Sequence, residues 1–222
     1  MTKLAIFDCD GTLVDSGAAI SEALGLTFAE RGLAVPPPEI GRRVIGLSLI
    51  EVMAGLLPGS SRDEQFALAE DYKRHFIALR GAGRVEEPLY PGILDLLDAL
   101  EADGFLLAVA TGKSDRGLRH CLDTHGIHAR FISLQTSDRH PSKPHPSMIH
   151  QAMADSGVSA NDTLMIGDTS YDMAMAVAAG AVPVGVAWGY HDAGELVAAG
   201  AVTVADHPRD ILEFAREQAD GR

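Results

Sequence analysis

Asp8-Cys9-Asp10-Gly11-Thr12-Leu13-Val14-Asp15-Ser16 follows the apolar run Leu4-Ala5-Ile6-Phe7 directly. A short buried strand therefore ends in two carboxylates and a glycine. Side chains alternate along a strand, so Asp8 and Asp10 share a face if the extended geometry persists to Asp10. A turn at Gly11 would then bend both towards one pocket. Two acids this close repel unless a cation or a proton lies between them. Magnesium, which takes oxygen ligands, suits such a pair. So does a division of labour in which one carboxylate attacks phosphorus and the other moves a proton. Taken alone, the stretch fits equally well a turn leading into a helix, with Asp15 or Ser16 as the cap.

Working outward, the chain of 222 residues suits one large domain, or a core with a smaller insert. It is 46% hydrophobic and 22% charged, which supports a sizeable core and argues against global disorder. The net charge of -13 opposes nonspecific binding to nucleic acid and to anionic membrane surfaces. An anionic substrate would need positive charge concentrated locally, from a metal, a lysine or helix N-termini. Cys9 and Cys121 are the only cysteines, with neither zinc-ribbon nor disulfide spacing. Cys9 reads as a small core residue whose side chain points away from the two acids. The first strand begins almost at once, no signal peptide is expected, and no apolar run approaches the roughly 20 residues of a membrane span. A cytoplasmic location is the expectation.

Apolar, often β-branched runs predict strands over 3–8, 105–111, 131–134, 163–167, 182–187 and 202–205. Several are apolar at nearly every position, as in strands covered on both faces. Helical patterns over 91–103, 114–125, 147–156, 170–179 and 209–218 alternate with them. The alternation predicts an α/β fold with a doubly wound, mostly parallel, Rossmann-like sheet. Residues 17–84 break it: helical patterns cover 18–31, 48–57 and 62–79, separated by turn signals at Pro36-Pro37-Pro38 and Pro58-Gly59. The predicted division is an α/β core of residues 1–16 and 85–222 and a helical insert of residues 17–84, hinged near Ser16-Gly17 and 81–87.

Three further stretches fall at expected strand ends. Thr111 closes an apolar run and precedes Gly112, Lys113 and a helix capped by Ser114. A hydroxyl there fits a phosphate oxygen or an ordinary cap. Lys143 stands in Ser142-Lys143-Pro144-His145-Pro146, where prolines stiffen the backbone around a residue that is otherwise a solvated charge. Gly167-Asp168-Thr169-Ser170-Tyr171-Asp172 follows Leu164-Met165-Ile166. It sets two acids one helical turn apart, fitting a metal site or an N-cap equally.

The string from Asp8 to Ser16 resembles the first motif of the haloacid dehalogenase-like hydrolases, in particular the phosphoglycolate phosphatase-like branch. Thr111, Lys143 and the Asp168/Asp172 pair resemble the second, third and fourth motifs, in order and across nearly the whole chain. The family often has Asn or Ser where this chain has Gly112, so a side-chain contact there would pass to the backbone. The resemblance implies a magnesium-dependent phosphatase acting on a small phosphate monoester, with phosphoglycolate as the leading substrate. It implies Asp8 as the nucleophile that becomes an aspartyl-phosphate and Asp10 as general acid and base. Magnesium would be held by the Asp8 carboxylate, the Asp10 carbonyl and Asp168, with Asp172 at or near the ion. Gly11, Thr111, the Gly112 N–H and Lys143 would hold the phosphate. Residues 17–84 would be a mobile helical cap, in which Arg42, Arg43 and Ser48 are candidate substrate contacts. The Lys143–Pro144 bond is cis in many relatives.

Other readings stay within reach of the same motifs: a phosphosugar mutase, a pyrophosphatase or a catalytically idle binding protein on the same core. A dehalogenase is disfavoured by Asp10. The nine histidines lack a zinc pattern and read as loop or surface residues. Neither a P-loop nor a convincing dinucleotide fingerprint is present.

Overall fold

The structure is a computed structural model and describes residues 2–220. The chain runs β1 (Lys3–Phe7), α1 (Gly17–Glu30), α2 (Pro38–Arg42), α3 (Leu49–Leu56), α4 (Arg62–Gly81), α5 (Ile93–Ala102), β2 (Phe105–Thr111) and α6 (Asp115–Thr124). It continues through β3 (Phe131–Thr136), α7 (Ser147–Ser156), β4 (Thr163–Gly167), α8 (Ser170–Ala179), β5 (Val182–Val186), α9 (Ala193–Ala198), β6 (Thr203–Ala205) and α10 (Pro208–Asp220). The strands form one parallel sheet in the order β3-β2-β1-β4-β5-β6. This is the doubly wound α/β arrangement expected from the alternating pattern.

The period of two along each strand sorts its side chains onto two cores. Ala5, Phe7, Leu107, Val109 and Ile166 face one layer, with Leu96 and Leu97 of α5, Leu118 and Leu122 of α6 and Ile211 of α10. Leu4, Ile6, Ala108, Ala110 and Met165 face the other, with Met148 and Ile149 of α7 and Met175 of α8. Each of the wholly buried Leu, Ile and Phe side chains contributes about 1.5–3 kcal/mol by leaving water. Burial on both faces explains why these strands are apolar at nearly every position.

Helices α1–α4 follow β1 and carry a third buried cluster of their own, built on Leu24, Phe28, Val52, Met53 and Leu68. The chain leaves and re-enters the sheet region on two adjacent strips. Asp15 N–H donates to the Pro88 carbonyl at 2.9 Å, and Tyr90 N–H donates to the Leu13 carbonyl at 3.0 Å.

Several boundaries differ from the sequence expectations. Pro38 starts α2 instead of ending a turn, because proline's fixed φ and missing N–H cost nothing at a first helical position. The six-residue α9 has too short a periodic pattern to be read from sequence, but Leu196 packs it against β5. β3 continues two residues past Leu134 to Thr136. Among the described residues, no helix is long and apolar enough to cross a membrane.

Candidate active site

The chain builds outward from β1 to β2 and β3, then returns to place β4 on the other side of β1. The carboxyl ends of β1 and β4 therefore flank the point where strand order reverses, the crevice in which open α/β sheets bind ligands. Asp8 stands one residue past β1, its N–H still donating to the Ile166 carbonyl at 2.9 Å. Asp168 stands one residue past β4, and Asp172 lies on the first turn of α8. Carboxylate oxygens of Asp8, Asp168 and Asp172 lie within 4.8 Å of one another, and all three residues are buried. Lys143, from the loop after β3, places Nζ 2.9 Å from Asp8 Oδ1 and 2.7 Å from Asp172 Oδ1. The Lys143–Pro144 bond is cis.

Each acid is held by a specific set of donors. Asp8 Oδ1 accepts the Cys9 N–H at 2.6 Å, whereas Asp8 Oδ2 is buried and has no hydrogen-bond partner. Asp168 accepts the Thr12 hydroxyl at 2.8 Å and the Tyr190 N–H at 2.9 Å. Asp172 accepts the N–H and hydroxyl of Thr169 at 3.1 and 2.7 Å. Thr169 is therefore the N-cap of α8, and Asp172 closes a capping box while also gripping Lys143. The stretch thus forms an N-cap, and both of its acids also join the buried acid group. Glycine is required around Asp168. A Cβ at Gly11, where φ is +81°, would come within 2.2 Å of its carboxylate, and one at Gly189 within 2.1 Å of its Cβ.

The electrostatics match three buried carboxylates facing one buried ammonium. Burial pushes the Asp8 carboxyl up to about 7; Lys143 opposes the shift and Asp172 adds to it. Burial, then the charges of Asp8 and Asp172, raises Asp168 well above the carboxylate range. Burial works against the Lys143 charge, but Asp172 and Asp8 outweigh it and raise that group. The excess negative charge and the unpartnered Asp8 Oδ2 fit a divalent cation with hard oxygen ligands.

Asp10 is not in this group. Its Oδ1 accepts the Ser16 hydroxyl and lies 2.8 Å from Lys113 Nζ. The metal contact expected of Asp10 is its carbonyl oxygen, not this side chain. Ser16 occupies the N-cap position of α1, yet its hydroxyl serves Asp10 instead of the helix. Thr111 is wholly buried and its hydroxyl accepts the Lys113 N–H at 3.2 Å. Gly112 lies against the 44–48 loop: a Cβ there would meet the Leu47 carbonyl oxygen at 2.4 Å. Gly46 of that loop approaches the site so closely that its own Cβ would stand 3.9 Å from Asp8 Oδ2.

Neither arginine candidate makes an ion pair with these acids among the described residues. Arg43 is exposed and pairs with Glu195, while its carbonyl accepts from Tyr171 Oη at 3.1 Å and pairs with His191 Nε2 at 3.2 Å. Arg42 is exposed at the end of α2. Ser48 reaches the core through its backbone, donating to Ser142 Oγ at 2.8 Å. Cys9 packs in the apolar core, its sulfur 3.9 Å from that of Cys121. The sequence reading missed Thr12, Tyr190, Ser16 and Lys113 as site residues. Thr12 stands in the opening motif and was available there. Tyr190 acts through its backbone, which no side-chain pattern reveals.

Known proteins resemble this chain in sequence and fold. Residues 5–186 match the sequence profile described as haloacid dehalogenase-like hydrolase. The probable phosphatase IndB of Dickeya dadantii is 33% identical over 219 residues, covering 97% of this chain and 94% of that protein. The phosphoglycolate phosphatase of Rhodospirillum rubrum is 34% identical over 201 residues, covering 86% of this chain and 81% of that protein. The solved structure of a haloacid dehalogenase-like family hydrolase from Streptococcus pneumoniae superposes with a TM-score of 0.83 at 28% identity, covering 96% of this chain and 98% of that one.

Proposed function

The chain belongs to the haloacid dehalogenase-like hydrolase family, and on that premise we propose that it is a magnesium-dependent phosphatase of a small phosphorylated metabolite, with 2-phosphoglycolate the first substrate to test. The observation that carries this reading is the buried group of Asp8, Asp168, Asp172 and Lys143 at the strand-order reversal, with Asp8 Oδ2 uncommitted. The names of the relatives from Dickeya dadantii and Rhodospirillum rubrum support it.

Asp8 attacks phosphorus, forming a bond from its carboxylate oxygen as the bond to the leaving oxygen breaks. Asp10 gives that leaving oxygen a proton. Water then attacks the aspartyl-phosphate, Asp10 takes a proton back, and inorganic phosphate leaves with Asp8 restored. Lys143 offsets the charge of the nucleophile and of the phosphoryl oxygens in a site that excludes water. Thr111 and the Gly112 N–H, at the end of β2, would hold phosphoryl oxygens; the expected part of Gly11 is not its N–H, which donates to the Val14 carbonyl at 2.9 Å. Asp8, Asp168 and Asp172, with the Asp10 carbonyl, would hold magnesium, which when bound supplies positive charge to the transferring phosphoryl group. Thr12 and the Tyr190 N–H fix the Asp168 carboxylate from behind.

We further propose that residues 17–84 act as a cap hinged near Ser16-Gly17 and 81–87, whose 44–48 loop closes over Asp8. The test is phosphate release from a panel of small phosphate monoesters, ranked by kcat/KM, with magnesium and with EDTA. Magnesium-dependent release is expected. No release from any member, or release indifferent to EDTA, would overturn the reading.

A further inference from the structure

Asp10 also sits in a second buried ion cluster, whose other members, Lys113, Glu87 and Arg80, have no part in the reaction scheme. Lys113 Nζ lies 2.8 Å from Asp10 Oδ1 and 2.7 Å from Glu87 Oε1, and Arg80 donates to Glu87 Oε2 at 2.8 Å. The side chains of Lys113, Asp10 and Glu87 are each at most 10% exposed. The four members come from four segments: the turn after β1, the residues after β2, the connection into α5, and the last turn of α4. Lys113 is next to the Thr111-Gly112 phosphate site in sequence, yet its ammonium points at Asp10 and Glu87 and not at the three-acid group.

Ser16 and Lys113 both engage the same oxygen of Asp10. Anchoring Oδ1 twice fixes the direction of Oδ2. An aspartate without that anchor has two free side-chain torsions and would drift from the position that proton transfer needs. Misplacement of a reacting group by about 1 Å can cost on the order of 10²-fold in rate. Glu87 and Arg80 sit at the return junction of the helical segment, so the anchor is assembled only when the end of α4 is seated.

We propose that Lys113 is the positioning residue for Asp10, and that Glu87 and Arg80 make this positioning depend on the seating of α4. The proposal rests on the reading of Asp10 as proton carrier. The experiment compares wild type, Asp10→Asn, Lys113→Met, Lys113→Arg and the Asp10→Asn/Lys113→Met double variant on 2-phosphoglycolate or the best monoester found, all saturated with magnesium. Lys113→Met is expected to lower kcat by about 10- to 100-fold with KM within about threefold. In the Asp10→Asn background the same change is expected to do nothing further, because its effect passes through Asp10. Lys113→Arg, which keeps the charge, is expected to recover part of the loss.

An unchanged kcat, a loss carried by KM, or a loss that multiplies with that of Asp10→Asn would overturn the proposal. Lys113→Met leaves two buried carboxylates without their shared cation and can fail to fold. Circular dichroism would show this, and Glu87→Gln then takes its place, expected to lower kcat by about two- to tenfold only when Asp10 is intact. A wild type that hydrolyses no monoester would bring down the phosphatase reading and this proposal with it. An active wild type with a slow Asp10→Asn and an additive Lys113→Met would bring down the proposal alone.

Discussion

The two buried ion clusters lie side by side and are built to opposite balances. Around Asp10, two carboxylates meet two cations, Lys113 and Arg80, and every charge has a partner from another segment. Around Asp8, three carboxylates meet one cation, Lys143, which pairs with Asp8 and Asp172 but not with Asp168, and one oxygen is left over. A balanced buried cluster needs nothing from solution and serves to hold geometry. An unbalanced one stores repulsion that only a proton or a cation relieves. Cys9 separates the two clusters by one residue of backbone, so a single turn carries both a fixed side chain and a site that recruits an ion.

The contrast breaks most sharply at Asp8. Asp8→Asn is expected to abolish phosphate release while circular dichroism and cooperative melting stay intact; turnover at wild-type rates in a variant of verified mass would end covalent catalysis. Asp10→Asn, in the balanced cluster, is expected to cost about 10²–10⁴ in kcat, the range of general acid–base catalysis.

Metal dependence should belong to one cluster only. Magnesium at a hundred times its Kd adds about 2.7 kcal/mol to the stability of the folded state. The resulting rise in Tm is expected in wild type and in Lys113→Arg, and is expected to vanish in Asp168→Asn. A rise that survives Asp168→Asn would put the ion elsewhere.

The pH dependence sharpens the same point. In metal-free protein, burial lifts the Asp8 carboxyl from its ordinary 3.8 to about 7. The folded state therefore gains stability by keeping that proton; the gain is complete below the unfolded value and is lost as pH climbs through the folded one. Asp8→Asn carries no such charge. Its Tm is expected to exceed that of wild type by a margin that widens from about pH 5 to pH 8 and that magnesium shrinks. A margin flat across pH would mean that Asp8 carries no unrelieved charge. The smallest effect is reserved for Arg43→Ala. Its guanidinium pairs with Glu195 on the surface, so kcat/KM is expected to stay within about twofold. A large rise in KM would return Arg43 to the substrate.

The sheet and the acids at its carboxyl edge were legible because each strand is a short apolar run that breaks into a conspicuous polar motif. Asp8, Asp168 and Lys143 could be placed together from those motifs, since parallel strands deliver their ends to one edge. Lys113 could not. Its neighbours Gly112 and Ser114 mark it as part of a turn, and its partners Glu87 and Asp10 lie 26 and 103 positions away. The arginines of the helical segment could not be placed for a related reason: sequence shows a charge near a loop but not which way the helix end faces. Pro36-Pro37-Pro38 reads as a break, although the last of the three opens a helix.

Gly46 and Gly112 meet where the 44–48 loop closes on the β2 end, with bare backbone on both sides of the seam. A methyl group on Gly112 would strike the Leu47 carbonyl oxygen at 2.4 Å. In the proposed cap closure, the seam would shut because of what is missing from its two edges. An alanine at position 112 would act as a doorstop, propping the entrance ajar and letting bulk water in during the very step that must run dry.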